Sequence, residues 1–349
     1  MRVVVTGASG NVGTSLLARL ERDPEVRSVV GIARRIGKVM PFPDVSWRGL
    51  DIASADLDRE FEGADAVVHL AWAIQPSHDD ARLWRTNILG SRRVFESAGR
   101  AGVPTLLYAS SIGAYAPGSK EMPVDEGWAI GGTPTSFYSR DKAAVEWILD
   151  EAEKRYPEMR VVRMRPALIF KRNAASGIHR LFFPRWLPRA TLRHGALPLL
   201  PMPATLTFQA VHTDDVATAF HLALHSSRAG AFNLHSEPML DTAAVADVLG
   251  TDLRHLPFPL LRGAVAASWR ARLQPTPEGW LDMAVDVPRM SSARAHRDLR
   301  WQPEHDARQT LGELFAGLAE GASFPTPALA RTGLAARVAT RPSSRARPR

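Results

Sequence analysis

The apolar run Val3-Val4-Val5 leads straight into Thr6-Gly7-Ala8-Ser9-Gly10-Asn11-Val12-Gly13, and no other feature constrains this chain so strongly. The order is that of a buried strand turning sharply into a helix, with glycines spaced G-x-x-G-x-x-G at the turn. Glycines let the backbone approach a pyrophosphate closely. The first turn of the helix behind them offers unpaired amides and the positive end of the helix dipole. The junction is therefore read as a dinucleotide site rather than a bare tight turn, with Gly7, Ser9, Gly10, Asn11, Val12 and Gly13 around the phosphates.

The pattern continues as short apolar runs alternating with amphipathic stretches. Strands are predicted at Arg2–Thr6, Ser28–Ala33, Ser46–Asp51, Ala66–Ala71, Thr105–Ser110 and Arg160–Arg165. Their nearly continuous apolar character suits strands covered on both faces. Helices are predicted at Gly13–Glu21, Leu83–Ala101 and Tyr138–Arg155. The alternation gives the fold class α/β, a doubly wound parallel sheet with a smaller C-terminal lobe for substrate. Residues 1–166 and 207–235 are read as the dinucleotide-binding core, and 167–206 and 236–320 as the lobe. Residues 321–349 are read as a disordered basic tail, since six arginines and no acid fall in the last 19 residues. Those arginines account for most of the formal charge of +8, so no nucleic-acid partner is expected from it.

Two positions bear on which dinucleotide binds. An acid after the second strand would bond the ribose hydroxyl of NAD, whereas arginine pairs with the extra phosphate of NADP. Here Arg34-Arg35 follow Gly31-Ile32-Ala33, so NADP(H) is favoured over NAD(H). Asp51, ending the third strand, reads either as an adenine contact or as a helix-capping acid.

Tyr138 and Lys142 stand four apart, hence on one face of their helix. A phenol near pKa 10 is a poor base at neutral pH. A nearby ammonium favours the phenolate and would let Tyr138 exchange a proton with a substrate alcohol or carbonyl. The fifth strand ends in Ser110-Ser111, at the carboxyl edge where such sheets bind ligands, and Ser111 is placed to hold the reacting oxygen, with Ser110 as its substitute.

Taken together these pieces resemble the extended short-chain dehydrogenase/reductases, in the group named for NAD-dependent epimerases and dehydratases. The glycine turn, Val68-His69-Leu70-Ala71, Asn87 within Thr86-Asn87-Ile88-Leu89-Gly90, Ser110-Ser111, Tyr138-x3-Lys142, Arg165-Pro166 and Val211-His212-Thr213-Asp214-Asp215-Val216-Ala217 occur in the family's order over residues 1–235. The resemblance implies a Rossmann core, a C-terminal substrate lobe and a homodimer. It makes Ser111, Tyr138 and Lys142 the catalytic set, with Lys142 also on the nicotinamide ribose and Asn87 supporting the active-site helix. It extends the cofactor contacts to Ile52, Leu70 and Ala71. Family dehydratases that eliminate water from sugar nucleotides carry an Asp-Glu pair where this chain has Ile112-Gly113, which argues against a 4,6-dehydratase. Arg34-Arg35 likewise weaken a 4-epimerase reading, and Tyr115-Ala116 replaces the usual tyrosine-glycine.

The expected function is thus hydride transfer at a carbinol or carbonyl carbon of a small molecule. A nucleotide-sugar epimerase is the alternative, and a non-catalytic NADP-binding regulator the alternative of another class. The basic aromatic stretch 180–189 is read as substrate-lobe lining or dimer contact, with arginines suited to substrate phosphates. Asp214-Asp215 are read as helix caps, and no metal site is expected from the histidines. With no cysteine, no long uncharged apolar run and no secretory signal at Met1-Arg2-Val3-Val4-Val5, a cytoplasmic protein without a membrane span is expected.

Overall fold

The computed structural model describes residues 1–331 apart from Pro76 and Arg185. The first half runs β1 (Arg2–Thr6), α1 (Asn11–Leu20), β2 (Ser28–Ala33), β3 (Val45–Gly49), α2 (Asp58–Phe61), β4 (Ala66–His69), α3 (Asp80–Trp84), a π-helical turn (Arg85–Leu89), α4 (Gly90–Arg100), β5 (Thr105–Ala109), α5 (Phe137–Arg155) and β6 (Arg160–Pro166). Next come β7 (Leu168–Phe170), α6 (Ala175–Phe182), β8 (Leu199–Met202), β9 (Thr207–His212), α7 (Thr213–Leu224), β10 (Gly230–Leu234), β11 (Ser236–Asp241), α8 (Thr242–Leu249) and β12 (Asp252–His255). Four helices follow: α9 (Phe258–Arg270), α10 (Gly279–Asp286), α11 (Ala293–Leu299) and α12 (Ala307–Glu320).

Seven strands form one parallel sheet in the order β10-β6-β5-β4-β1-β2-β3. Alternate residues of each strand face opposite layers. Val3 and Val5 pack with Leu16, Leu17 and Phe220 on the α1/α7 side. Val4 and Val67 pack with Phe95 and Val145 on the α4/α5 side. Strand order reverses between β1 and β4, where Thr6 pairs with His69. A crevice opens at such a switch point, outside the carboxyl ends of the strands.

The smaller sheet, β11-β9-β7, is covered by α8 and α12 through Leu240, Val245, Leu311 and Leu314. β9 pairs with β7 and β11 and so lies outside the seven-stranded sheet, although its segment was expected to belong to the dinucleotide-binding core. The stretch 167–206, read from the sequence as part of the lobe, contains β7, α6 and β8.

A second difference concerns residues 321–331, expected to begin a disordered tail. They lie against the glycine turn that follows β1. Thr326 is fully buried and donates to the Ser9 carbonyl (2.8 Å), and Leu329 and Ala330 are buried. The apolar residues of this stretch find a seat at Gly177, where an added Cβ would stand 3.2 Å from the Leu329 side chain. The arginines beyond Arg331 lie outside the described residues.

Candidate active site

Backbone shape comes first at the cofactor end. Gly7 has φ of 72°, and a Cβ there would stand 2.6 Å from the Ala71 nitrogen; a Cβ on Gly13 would stand 2.6 Å from the Gly7 and Ala8 carbonyls. Both positions need glycine. α1 begins at a glycine N-cap, with no side-chain cap and no acid in its first turn, so its leading amides stay available to an anion. Lys171 fastens this turn from the lobe side, donating to the Asn11 carbonyl (3.1 Å), Thr14 Oγ1 (2.9 Å) and Ser15 Oγ (2.8 Å).

A cavity of about 1490 Å³ extends from the glycine turn past Ser111, Tyr138 and Lys142 to Trp280 and Met283. Clefts for one ligand usually measure ~300–1,000 Å³, so this one has room for a dinucleotide and a second molecule. Gly7, Gly10, Asn11, Val12, Gly13, Arg34, Arg35, Asp51 and Leu70 line it. Ser9, Ile52 and Ala71 do not. Ser9 faces Thr326 through its carbonyl. Ile52 belongs to the apolar core under Gly90, and Ala71 packs on Gly7. Arg34 keeps much of its surface exposed, and its inner part is desolvated. Burial lowers its pKa, Asp51 opposes that shift, and the charges of Arg82 and Arg35 add to it. Asp51 also closes a turn, accepting from the Ala53 amide (3.0 Å). The glycine cradle, the uncapped helix and the cationic far end fit a dinucleotide.

At the catalytic end, Ser110 and Ser111 part ways. Ser110 Oγ donates to Glu146, whereas Ser111 Oγ accepts from the Gly113 amide (3.0 Å) and lines the cavity with Tyr138. Gly113 is where family dehydratases carry an acid. A Cβ there would stand 3.0 Å from Met283 Sδ and 3.2 Å from the Tyr138 ring. Asn87, inside the π-helical turn, clasps both backbone groups of Ala73 (2.8 and 2.9 Å) and reaches Asp141 on α5 (3.2 Å). That π-helical turn interrupts what the sequence presents as one helix over 83–101.

Lys142 stands near Tyr138 without bonding to it. Its Nζ donates to the Ala109 carbonyl (2.7 Å), lies 3.6 Å over the Trp72 ring and is 5.9 Å from the Tyr138 ring centre. The expected acidification of the phenol is not found. Burial pushes Tyr138 up to about 12, with only the nearby Ser111 hydroxyl opposing. Burial also pushes Lys142 down to about 7, against the pull of Glu146 and Asp141. Desolvation outweighs the pair attraction because aromatic rings, not water, surround both groups. Tyr138 therefore holds its proton at neutral pH, which suits it to act as an acid.

Sequence reasoning missed several residues here. Trp280 packs 4.7 Å from Tyr138 and Trp72 6.0 Å from it, centre to centre, and both indole N–H groups are buried without partners among the described residues. Such a donor costs about 1–3 kcal/mol when left open. Glu146, fully buried, binds Arg165 in bidentate fashion (2.9 and 3.0 Å) and Arg163 at 3.1 Å. A Glu one turn beyond Lys142 and two arginines on a strand were the available signal.

Two acid–histidine clusters were also overlooked. His221 and His225 stand one turn apart on α7 with Asp23 at 2.8 and 2.6 Å, an H-x-x-x-H spacing visible in the sequence. His212, Asp215 and His305 form the other. Asp215 was expected to cap α7; its carboxylate instead accepts from the Glu304 and His305 amides (3.0 and 3.1 Å), while His212 caps the helix. Among the described residues no helix is long and apolar enough to cross a membrane.

Comparison with known proteins decides the family. The model of the NAD dependent epimerase/dehydratase family matches residues 3–234. The chain belongs to that family. Among its relatives, an uncharacterised Mycobacterium tuberculosis protein is 30% identical over 272 residues, which cover 75% of this chain. The matched part spans 25% of that relative, about a quarter of its length. A 4-hydroxy-2-methyl-3-oxo-4-farnesyl-3,4-dihydroquinoline-1-oxide ketoreductase from Stigmatella aurantiaca is 29% identical over 171 residues, 49% of this chain and 51% of the relative. The solved structure of UDP-glucose 4-epimerase from Thermotoga maritima superposes with a TM-score of 0.68 at 18% identity, covering 92% of this chain and 99% of that one. That likeness establishes a shared fold.

Proposed function

We propose that this family member is an NADP(H)-dependent oxidoreductase that reduces a carbonyl carbon, or oxidises the matching carbinol, beside Tyr138. The carrying observation is that Ser111, Tyr138 and Lys142 line one cavity that begins at the glycine turn, with Lys142 Nζ 5.9 Å from the Tyr138 ring centre. When bound, the nicotinamide supplies hydride to carbon or takes it away. In the reduction direction Tyr138 gives its proton to the nascent alkoxide oxygen, and Ser111 holds that oxygen by hydrogen bond. Lys142, fixed by the Ala109 carbonyl with Nζ 5.9 Å from the Tyr138 ring centre, would hold the nicotinamide ribose. Asn87 holds the loop and helix that carry these groups in register, and the aromatic wall excludes water.

The NADP preference draws support from Arg34, Arg35 and Arg82 gathered at the far end of the cavity. Asp51 is then left with the adenosine half or with the turn it already closes. A homodimer and a cytoplasmic setting belong to the same proposal. Trp147, half exposed on α5, supports the first, and the cysteine-free composition supports the second.

A nucleotide-sugar epimerase is the second reading, favoured by the fold shared with UDP-glucose 4-epimerase. The deciding experiment mixes purified protein and NADPH with a panel of carbonyl compounds and, separately, NAD+ or NADP+ with UDP-sugars. Stoichiometric NADPH oxidation supports the proposal. Isomerisation without net cofactor consumption supports the epimerase, and NADP binding without turnover supports a regulator.

A further inference from the structure

The proposed function fixes where the reacting oxygen sits but leaves the rest of the substrate open. We propose that the substrate is a bulky apolar ketone or secondary alcohol, of fused-ring or isoprenoid type, and not a nucleotide-sugar; this rests on Tyr138 being the reacting site. Beyond Tyr138 the cavity wall is hydrocarbon and aromatic. Trp280 covers the phenol, Phe182 packs edge-on against Trp280 at 5.0 Å, and Ile112, Leu181, Met283 and Phe208 continue the lining. The indole N–H groups without partners, on Trp72 and Trp280, belong to rings packed on Tyr138, so open polar capacity gathers at the reacting end.

A nucleotide-sugar brings a diphosphate, which calls for cations with free N–H groups. Among the described residues, the cations that the lobe and the loop after β5 bring to the cavity are Lys120, Arg180 and Arg289. Lys120 donates to the carbonyls of Thr207 (2.8 Å) and Ala284 (2.6 Å). Arg180 is anchored by two of its five N–H groups to the carbonyls of Ala328 and Ala330. Arg289 faces the Glu237 carboxylate at 3.5 Å, and its buried Nε–H has no partner among the described residues, so an acid already offsets the charge of this cation. The remaining wall gains by burying apolar surface, which needs no such partner.

The test is equilibrium binding to the full-length protein loaded with NADP+, read by tryptophan fluorescence and calorimetry. The probes are androstenedione, geranylacetone, UDP-glucose and UDP-glucuronic acid. The expected result is that both apolar ketones bind at least about tenfold more tightly than either UDP-sugar. Met283→Arg should weaken the ketones about tenfold while NADP+ binding holds, and Phe182→Ser serves the same purpose should Met283→Arg not fold. Tighter binding of a UDP-sugar, or no binding of either ketone, overturns the inference. Ketones that bind but are never reduced leave it standing and overturn the catalytic reading. Tyr138-dependent turnover of a UDP-sugar does the reverse.

Discussion

The indole of Trp280 lies 4.7 Å from the ring of Tyr138, tilted by 33°. Trp280 sits on α10, in the C-terminal lobe, whereas Tyr138 opens α5 of the dinucleotide-binding half. The contact makes α10 a wall of the proposed reaction site, and it explains why burial dominates the ionisation of the phenol. Trp280→Ala should lower kcat/KM by about 10–100-fold through lost substrate positioning, with NADPH affinity unchanged. Steady-state kinetics beside a fluorescence titration of NADPH checks this.

Arg34 and Arg35 are proposed to read the extra phosphate of NADP. The double variant Arg34→Gln/Arg35→Gln should weaken NADPH binding by about 1–3 kcal/mol, the scale of a charge-assisted bond to an anion, and leave NADH binding nearly untouched. Equal losses for the two cofactors would remove the basis of the NADP preference.

Glu146 carries the buried charge network between α5 and β6, with Arg165 and Arg163 as partners. Its carboxyl is held below the usual range: burial pushes it up, but the Arg165 hydrogen bonds and the two guanidinium charges win. Glu146→Ala strands the buried Arg165, while Arg163 keeps Asp150 and Glu153, and should cost about 3–5 kcal/mol of stability. Urea unfolding at neutral pH measures it.

How much of this was legible in the sequence depends on the range of the interaction. The glycine turn, the Tyr138–Lys142 spacing and the strand–helix alternation are local patterns, and their elements appear within a few residues of the predicted places. β9 reads as a buried strand, yet its sheet is chosen by partners at Leu168–Phe170 and Ser236–Asp241, which no local pattern reveals. Residues 321–331 look like tail because proline and serine dilute their apolar residues; their order comes from a groove made elsewhere. The direction of the Tyr138 shift was misjudged for the same reason. The spacing showed the ammonium, but not the Trp72 and Trp280 rings that exclude water.

His69 offers a pH test. Its ring sits fully buried between Thr6 Oγ1 (2.7 Å) and Ser91 Oγ (2.9 Å). Burial, aided by the Lys142 charge, pushes its pKa down to about 3. The unfolded chain takes up this proton near pH ~6.5, so the stabilising contribution is complete above that pH. It is lost as the pH falls from there towards 3, at about 1.4 kcal/mol per unit. Denaturation midpoints taken between pH 7 and 4 should show a shallower fall for His69→Asn than for the wild type, alongside a lower stability at pH 7. An unchanged slope would remove His69 as the cause.

The central claim is that Tyr138 delivers the proton, and single-turnover reduction by NADPH-loaded Tyr138→Phe addresses it most directly. The rate of NADPH oxidation should fall by about 10²–10⁴-fold, the range for a lost general acid, while the dissociation constant for NADPH stays at the wild-type value. Reduction at the wild-type rate in Tyr138→Phe would contradict the account.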